Sequence, residues 1–167
     1  MKKNFFLTII FLVFISTSCI KENNFGYEYF MKYAEMGFAL DKNAFVNDDL
    51  SKNGELAYLF VTSEDKLSDI NNIYITDDNY NVIYELKFRD GEAKLIGSTA
   101  YFINIDNPTS SLGMSVDKEG IYFEYLEKSS NGTIQKSFVL KVDSKASNDL
   151  LKKLSESGEN IHFNESK

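Results

Sequence analysis

Residues 80–89 read Tyr-Asn-Val-Ile-Tyr-Glu-Leu-Lys-Phe-Arg. Tyr80, Val82, Tyr84, Leu86 and Phe88 share one side, opposite Asn81, Glu85, Lys87 and Arg89. A period of two fits a strand with one buried face; a helix repeats its apolar residues every three or four positions. The same signature recurs along most of the chain. Leu56 to Val61 (LAYLFV) is apolar on both faces, as a central strand is. Ile73 and Ile75 alternate with Asn72, Tyr74 and Thr76. Ile121, Phe123 and Tyr125 alternate with Tyr122 and Glu124, and Ile134, Phe138, Leu140 and Val142 line a further strand. Segments 38–46, 93–97 and 100–105 add shorter strands.

Turn residues separate these runs. Asn53-Gly54, Asp77-Asp78-Asn79 and the loop from Pro108 to Gly113 reverse the chain, while Asp90-Gly91 and Asn131-Gly132 are the pairs preferred in tight hairpins. Seven or eight strands so spaced predict an antiparallel architecture. Helical spacing is confined to the two ends of the β-rich region. Tyr27, Phe30, Met31, Ala34 and Phe38 predict a helix over about 26–36, with Gly37 as its stop. Ser147 as cap, Leu150, Leu151 and Leu154 inward and Gly158 as stop predict another over 148–156. Ile161 and Phe163 form a last edge strand or simply dock. The expected fold is mainly β: an antiparallel β-sandwich or curled sheet with a short helix at each end. The alternative is an α+β fold with a single antiparallel sheet and the first helix on one face. Residues 73–85 also resemble a strand–turn–strand of an immunoglobulin-like sandwich.

The 167 residues suit one domain, and 43% apolar content suffices for a core. At this size about 70% of the unfolded surface is buried on folding, so no disulfide or metal is required. A formal charge of −7 argues against nucleic acid or anionic lipid as a partner, because binding phosphates needs a basic stripe.

The first nineteen residues read MKKNFFLTIIFLVFISTSC. Lys2 and Lys3 precede an apolar run from Phe5 to Ile15, too short for the roughly 20 residues of a membrane span and suited to the core of a secretory signal. Ser16, Thr17 and Ser18 follow, then Cys19, the one cysteine in the chain. This segment resembles a bacterial lipoprotein signal with its lipobox, in the relaxed form of spirochaetal lipoproteins, with Ser16 where Leu is usual. The resemblance implies cleavage between Ser18 and Cys19 and a diacylglyceryl group on the Cys19 sulfur. Ser16 and Ser18 equally satisfy an ordinary secretory signal, so plain secretion is the alternative. The chain then divides into a signal peptide at 1–18, the lipidated Cys and short tether at 19–25, and a single β-rich domain at 26–167. Removing the signal takes away Lys2 and Lys3 and no acid, which moves the charge from −7 to −9. Two acyl chains anchor firmly to a membrane. Ile20 is not the Asp that retains some enteric lipoproteins in the inner membrane, which points to the outer one.

Reactive side chains are few. The one imidazole, His162, lies in a polar tail, and the one thiol is assigned to lipid, so no nucleophile–base set and no Cys/His metal cluster is expected. Asp77, Asn79 and Asn81 match positions 1, 3 and 5 of a calcium loop. Val82 then replaces the required Gly and Phe88 the bidentate Glu, so a polar hairpin turn is expected there. No catalytic residue, cofactor or metal is predicted. The chain is rich in aromatics, with 10 Tyr and 14 Phe. Tyr58, Tyr74, Tyr101 and Tyr122 lie on predicted strands, where exposed tyrosines would make a protein-binding surface. In the other reading both faces of a sheet are buried and Tyr fills the second. The expected function is a membrane-anchored envelope lipoprotein, a non-enzymatic binding or adhesin-like module for an unknown protein partner. The alternative is a periplasmic structural or assembly factor.

Overall fold

The computed structural model describes residues 25–42, 56–63 and 68–157. Helix α1 (Tyr27–Tyr33) leads into β1 (Ala34–Ala39), β2 (Tyr58–Ser63), β3 (Ile70–Thr76) and β4 (Val82–Arg89). These four strands form one antiparallel sheet in the order β1-β2-β3-β4. The strands β5 (Lys94–Ile96), β6 (Thr99–Ile103), β7 (Ser110–Asp117), β8 (Gly120–Lys128) and β9 (Ile134–Lys141) form a second, again in sequence order, before helix α2 (Ser144–Ser157). The architecture is mainly β, in keeping with the sandwich or curled sheet expected from the alternation. Each sheet is a meander of neighbours, whereas an immunoglobulin-like sandwich is wound as a Greek key.

Period-two patterning builds the layers. The inward residues Leu59, Ile73, Ile75, Leu86 and Phe88 of the first sheet meet Leu112, Phe123, Tyr125, Phe138 and Leu140 of the second in one core. The two sheets touch at one edge through a bridge between Leu40 and Val142. The outer face of the first sheet is also buried. Phe60 and Tyr74 lie there beneath Phe30 and Met31 of α1 and Leu150 and Leu154 of α2. The molecule therefore stacks a helix layer, the first sheet and the second sheet.

Several local expectations shift for physical reasons. The first helix ends at Tyr33, and Gly37 lies within β1 where α2 crosses it. A Cβ on Gly37 would stand 2.9 Å from Leu154 Cδ1, so the position needs a residue without one. Ser147 does not cap α2; it sits inside the helix, buried. Its Oγ accepts the Ala39 N–H at 2.9 Å, tying α2 to β1. Asp143 fills the capping role, its Oδ1 accepting the Ala146 N–H at 3.0 Å. Asp90-Gly91 does turn the chain, with Gly91 at φ 75°, but it carries the chain from β4 in one sheet to β5 in the other and makes no hairpin. Asn131-Gly132 is the hairpin expected, between β8 and β9.

Tyr80 departs from its predicted strand. It sits in the turn before β4 at φ 65°, a conformation uncommon for a bulky residue. A register shift between Ile75 and Thr76 then puts Val82, with Tyr80, on the helix-covered side, while Tyr84 faces the core. The expected loop at 108–113 is shorter, because β7 begins at Ser110. The signal segment, Ser18, Cys19, residues 43–46, Asn53-Gly54, Gly158, Ile161, His162 and Phe163 lie outside the described residues.

Candidate functional site

Both described helices lie on the first sheet, so the outer face of the second is the face that no described element packs upon. Its composition follows from the register. One row across the sheet runs Lys94, Tyr101, Gly113, Glu124, Val139; the next runs Ile96, Thr99, Ser115, Tyr122, Lys141. A third runs Ile103, Ser111, Leu126, Ser137. The central strand β7 thus offers Ser111, Gly113, Ser115 and, at its end, Asp117 outward, while its Leu112 is fully buried on the other side. Larger side chains on β6 and β8 flank this strip.

The tyrosines on this face are fixed by specific contacts. The Tyr101 hydroxyl donates to Glu124 Oε2 at 2.7 Å across β7. The ring lies over Gly113, where a Cβ would come within 2.7 Å of its Cε1. That hydrogen bond, with some burial, raises the Tyr101 phenol above its ordinary value. Lys141 Nζ stands 5.6 Å from the centroid of the Tyr122 ring, within range of a cation–π contact. Ile96 and Ile103 are 57% and 44% exposed beside them. The face is therefore amphipathic, with aromatic edges, short polar side chains and one carboxylate and one ammonium already held in place. Such a surface suits contact with another protein, because Tyr supplies large apolar area with few rotamers to lose.

The other two predicted tyrosines lie on the covered face. Tyr74 is 3% exposed and packs against Phe25 at 4.8 Å and Phe30 at 5.6 Å. Burial, then Tyr29 and Glu85, push its phenol far above the ordinary range. Tyr58 is half-buried and stacks on Tyr80 at 5.0 Å with the planes 4° apart. Burial, assisted by Tyr58, pushes the Tyr80 phenol up to about 12. Tyr58 and Tyr74 thus lie on the helix-covered face and Tyr101 and Tyr122 on the open one, so the four residues divide two and two.

The Asp77 carboxylate serves its own turn. Asp77 Oδ1 accepts the backbone N–H groups of Asn79 and Asn81 at 2.8 and 2.9 Å, and its Oδ2 accepts Asn81 Nδ2 at 2.8 Å. Burial acts to raise this carboxyl, but those hydrogen bonds outweigh it and the net shift is downward. Both oxygens are thus spent on the turn. Among the described residues there is no group of three or more His, Cys, Asp or Glu placed to hold a metal, and no helix long and apolar enough to cross a membrane. A cleft of about 230 Å³ opens at one end of the sandwich, over the Phe88–Phe102 contact and beside Ile103 and Arg89. It is smaller than the roughly 300–1,000 Å³ of ordinary ligand pockets.

Glu124 and the β7 strip were within reach of sequence reasoning. Leu112, Met114 and Val116 alternate with Ser111, Gly113 and Ser115, a strand signal masked by the Pro and Ser residues just before it. No protein-family model matches the chain, and neither a curated protein nor a solved structure matches it.

Proposed function

We propose that this is a lipid-anchored envelope protein, without enzymatic activity, whose second sheet presents its open face to a protein partner. The observation that carries the reading is the asymmetry of the two outer faces. One is buried under α1 and α2, and the other leaves Tyr101, Tyr122, Ile96 and Ile103 accessible around a strip of small residues. The anchor part of the reading rests on the lipobox-like segment ending at Cys19. The chain enters the described domain at Phe25, whose ring packs on Tyr29 and Tyr74 in the helix layer. Residues 20–24, fully extended, reach about 17 Å. Packed sheets are about 10 Å apart, so the open face lies on the far side of the sandwich from the point where the tether joins. A face directed away from its own membrane favours a displayed module over an assembly factor.

Two measurements test this in cells. A photo-crosslinking amino acid at Tyr122 should form a discrete protein adduct, and one at Tyr58 should not. Protease added to intact cells should remove the domain. Adducts at Tyr58 alone would move the site elsewhere. Protection until the outer membrane is opened would favour the periplasmic assembly factor.

A further inference from the structure

Resting on the lipid anchor proposed above, we infer that the helix layer is a bilayer-contacting surface, with Tyr27 and Tyr33 of α1 seated among the lipid headgroups. Two observations converge on this layer. The chain between Cys19 and Phe25 is too short to carry the domain far from the membrane, and Phe25 is itself packed into the helix layer. The layer faces the side where the anchor must lie.

The exposed side of α1 carries Tyr27 and Tyr33 alongside Glu28 and Lys32. Phe30 and Met31 are buried against the first sheet, yet Tyr27 and Tyr33 remain 47% and 51% exposed. Tyrosine favours the boundary between headgroups and acyl chains, where its ring meets apolar matter and its hydroxyl stays wet. Lys32 Nζ stands 5.3 Å from the Tyr33 ring centroid, so its ammonium accompanies the ring at that depth. A groove of about 320 Å³, lined by Tyr27, Glu28, Met31, Lys32 and Ser157, opens on the same layer.

Together α1 and α2 hold four lysines and three acids, a net charge of +1 in a chain whose formal charge is −7. The nine strands hold six Lys or Arg and five acids, also +1, so charge does not set the helices apart from the sheets, and the orientation rests on the tether and on the exposed tyrosines. The same orientation turns the open face of the second sheet away from the bilayer.

The chain contains no Trp, so a single indole reports one position. Lipidated full-length protein carrying Tyr33→Trp, or separately Tyr122→Trp, is reconstituted into phosphatidylcholine–phosphatidylglycerol vesicles with brominated acyl chains. Both proteins should float with the vesicles. Fluorescence of the Tyr33→Trp protein should fall by about half, as expected for a side chain at the headgroup–acyl boundary, and that of the Tyr122→Trp protein should not change. Flotation with no quenching at Tyr33→Trp, or with quenching at Tyr122→Trp instead, overturns this orientation and leaves the anchor standing. Protein that fails to float overturns the anchor and the orientation with it.

Discussion

Two glycines occupy equivalent places on the outer faces of the two sheets, and substituting each with Ala measures how far those faces differ. At Gly37 a Cβ would stand 2.9 Å from Leu154 Cδ1, 3.1 Å from Leu150 Cδ2 and 3.3 Å from Phe60 Cδ1. All three neighbours are buried, at 4%, 4% and 0% exposure, so none can swing into solvent. Overpacking a core of this kind costs about 1–3 kcal/mol, offset by about 0.5–1 kcal/mol because Ala replaces Gly within a strand. The net loss for Gly37→Ala is up to about 2.5 kcal/mol, or a Tm lower by up to about 10 °C for a domain of this size. At Gly113 a Cβ would stand 2.7 Å from Tyr101 Cε1 and 3.0 Å from Thr99 Cγ2, but both belong to partly exposed side chains on an open face, and the Tyr101 ring makes the closer contact. It can rotate outward, giving up its hydrogen bond to Glu124, worth about 0.5–1.5 kcal/mol, against the same gain from replacing Gly. Gly113→Ala should therefore leave Tm nearly unchanged while Tyr101 titrates closer to its ordinary value. Thermal melts followed by far-UV circular dichroism, with ultraviolet titration of the phenols, read both quantities. A Gly113→Ala protein destabilised as much as Gly37→Ala would mean that the second sheet is packed on both sides, and the reasoning would fail.

Phe30 is fully buried and stacks on Phe60 at 4.4 Å, so Phe30→Ala should cost about 3–5 kcal/mol in urea unfolding; a loss below about 1 kcal/mol would mean that α1 is not held by this contact. Asp77→Ala should cost about 1–2 kcal/mol near neutral pH by removing three hydrogen bonds from the β3–β4 turn. Because the folded carboxyl is held below its ordinary 3.8, that stabilisation is full well above 3.8, declines as pH falls below it, and is gone once pH passes the lower folded value. The gap between wild type and Asp77→Ala should therefore close in acid, and a gap independent of pH between 2 and 7 would contradict the assignment.

The layers of this fold were largely legible because burial leaves its period in the sequence. Leu86 and Phe88, or Phe138 and Leu140, face the core as their alternation implies. What local pattern could not carry is long-range. Tyr58 and Tyr101 look alike as strand residues, and only the docking of α1 and α2 decides which of the two sheets is covered. Gly37 resembles a helix stop until Leu150 and Leu154, more than a hundred residues later, arrive over it. Tyr80 keeps the phase of the strand that follows, but one inserted residue in β4 reverses the face on which it lies. Asp90-Gly91 encodes a turn faithfully, while the choice between pairing β5 with β4 and crossing to a second sheet depends on partners far along the chain. For the candidate face, the tyrosines were visible and the pairing of Tyr101 with Glu124 was not, since it spans β7, whose strand signal lay behind a Pro and a run of Ser.

A lipid on Cys19 is what would fix the domain beside a membrane with its second sheet outward. Metabolic labelling with a radiolabelled fatty acid, followed by membrane fractionation of wild type and Cys19→Ala, tests for it directly. The wild-type protein should take up label and sediment with the envelope. Cys19→Ala should lose the label and move to the soluble fraction. A variant that still labels and still fractionates with membrane, or a wild-type protein that never labels, would contradict the account.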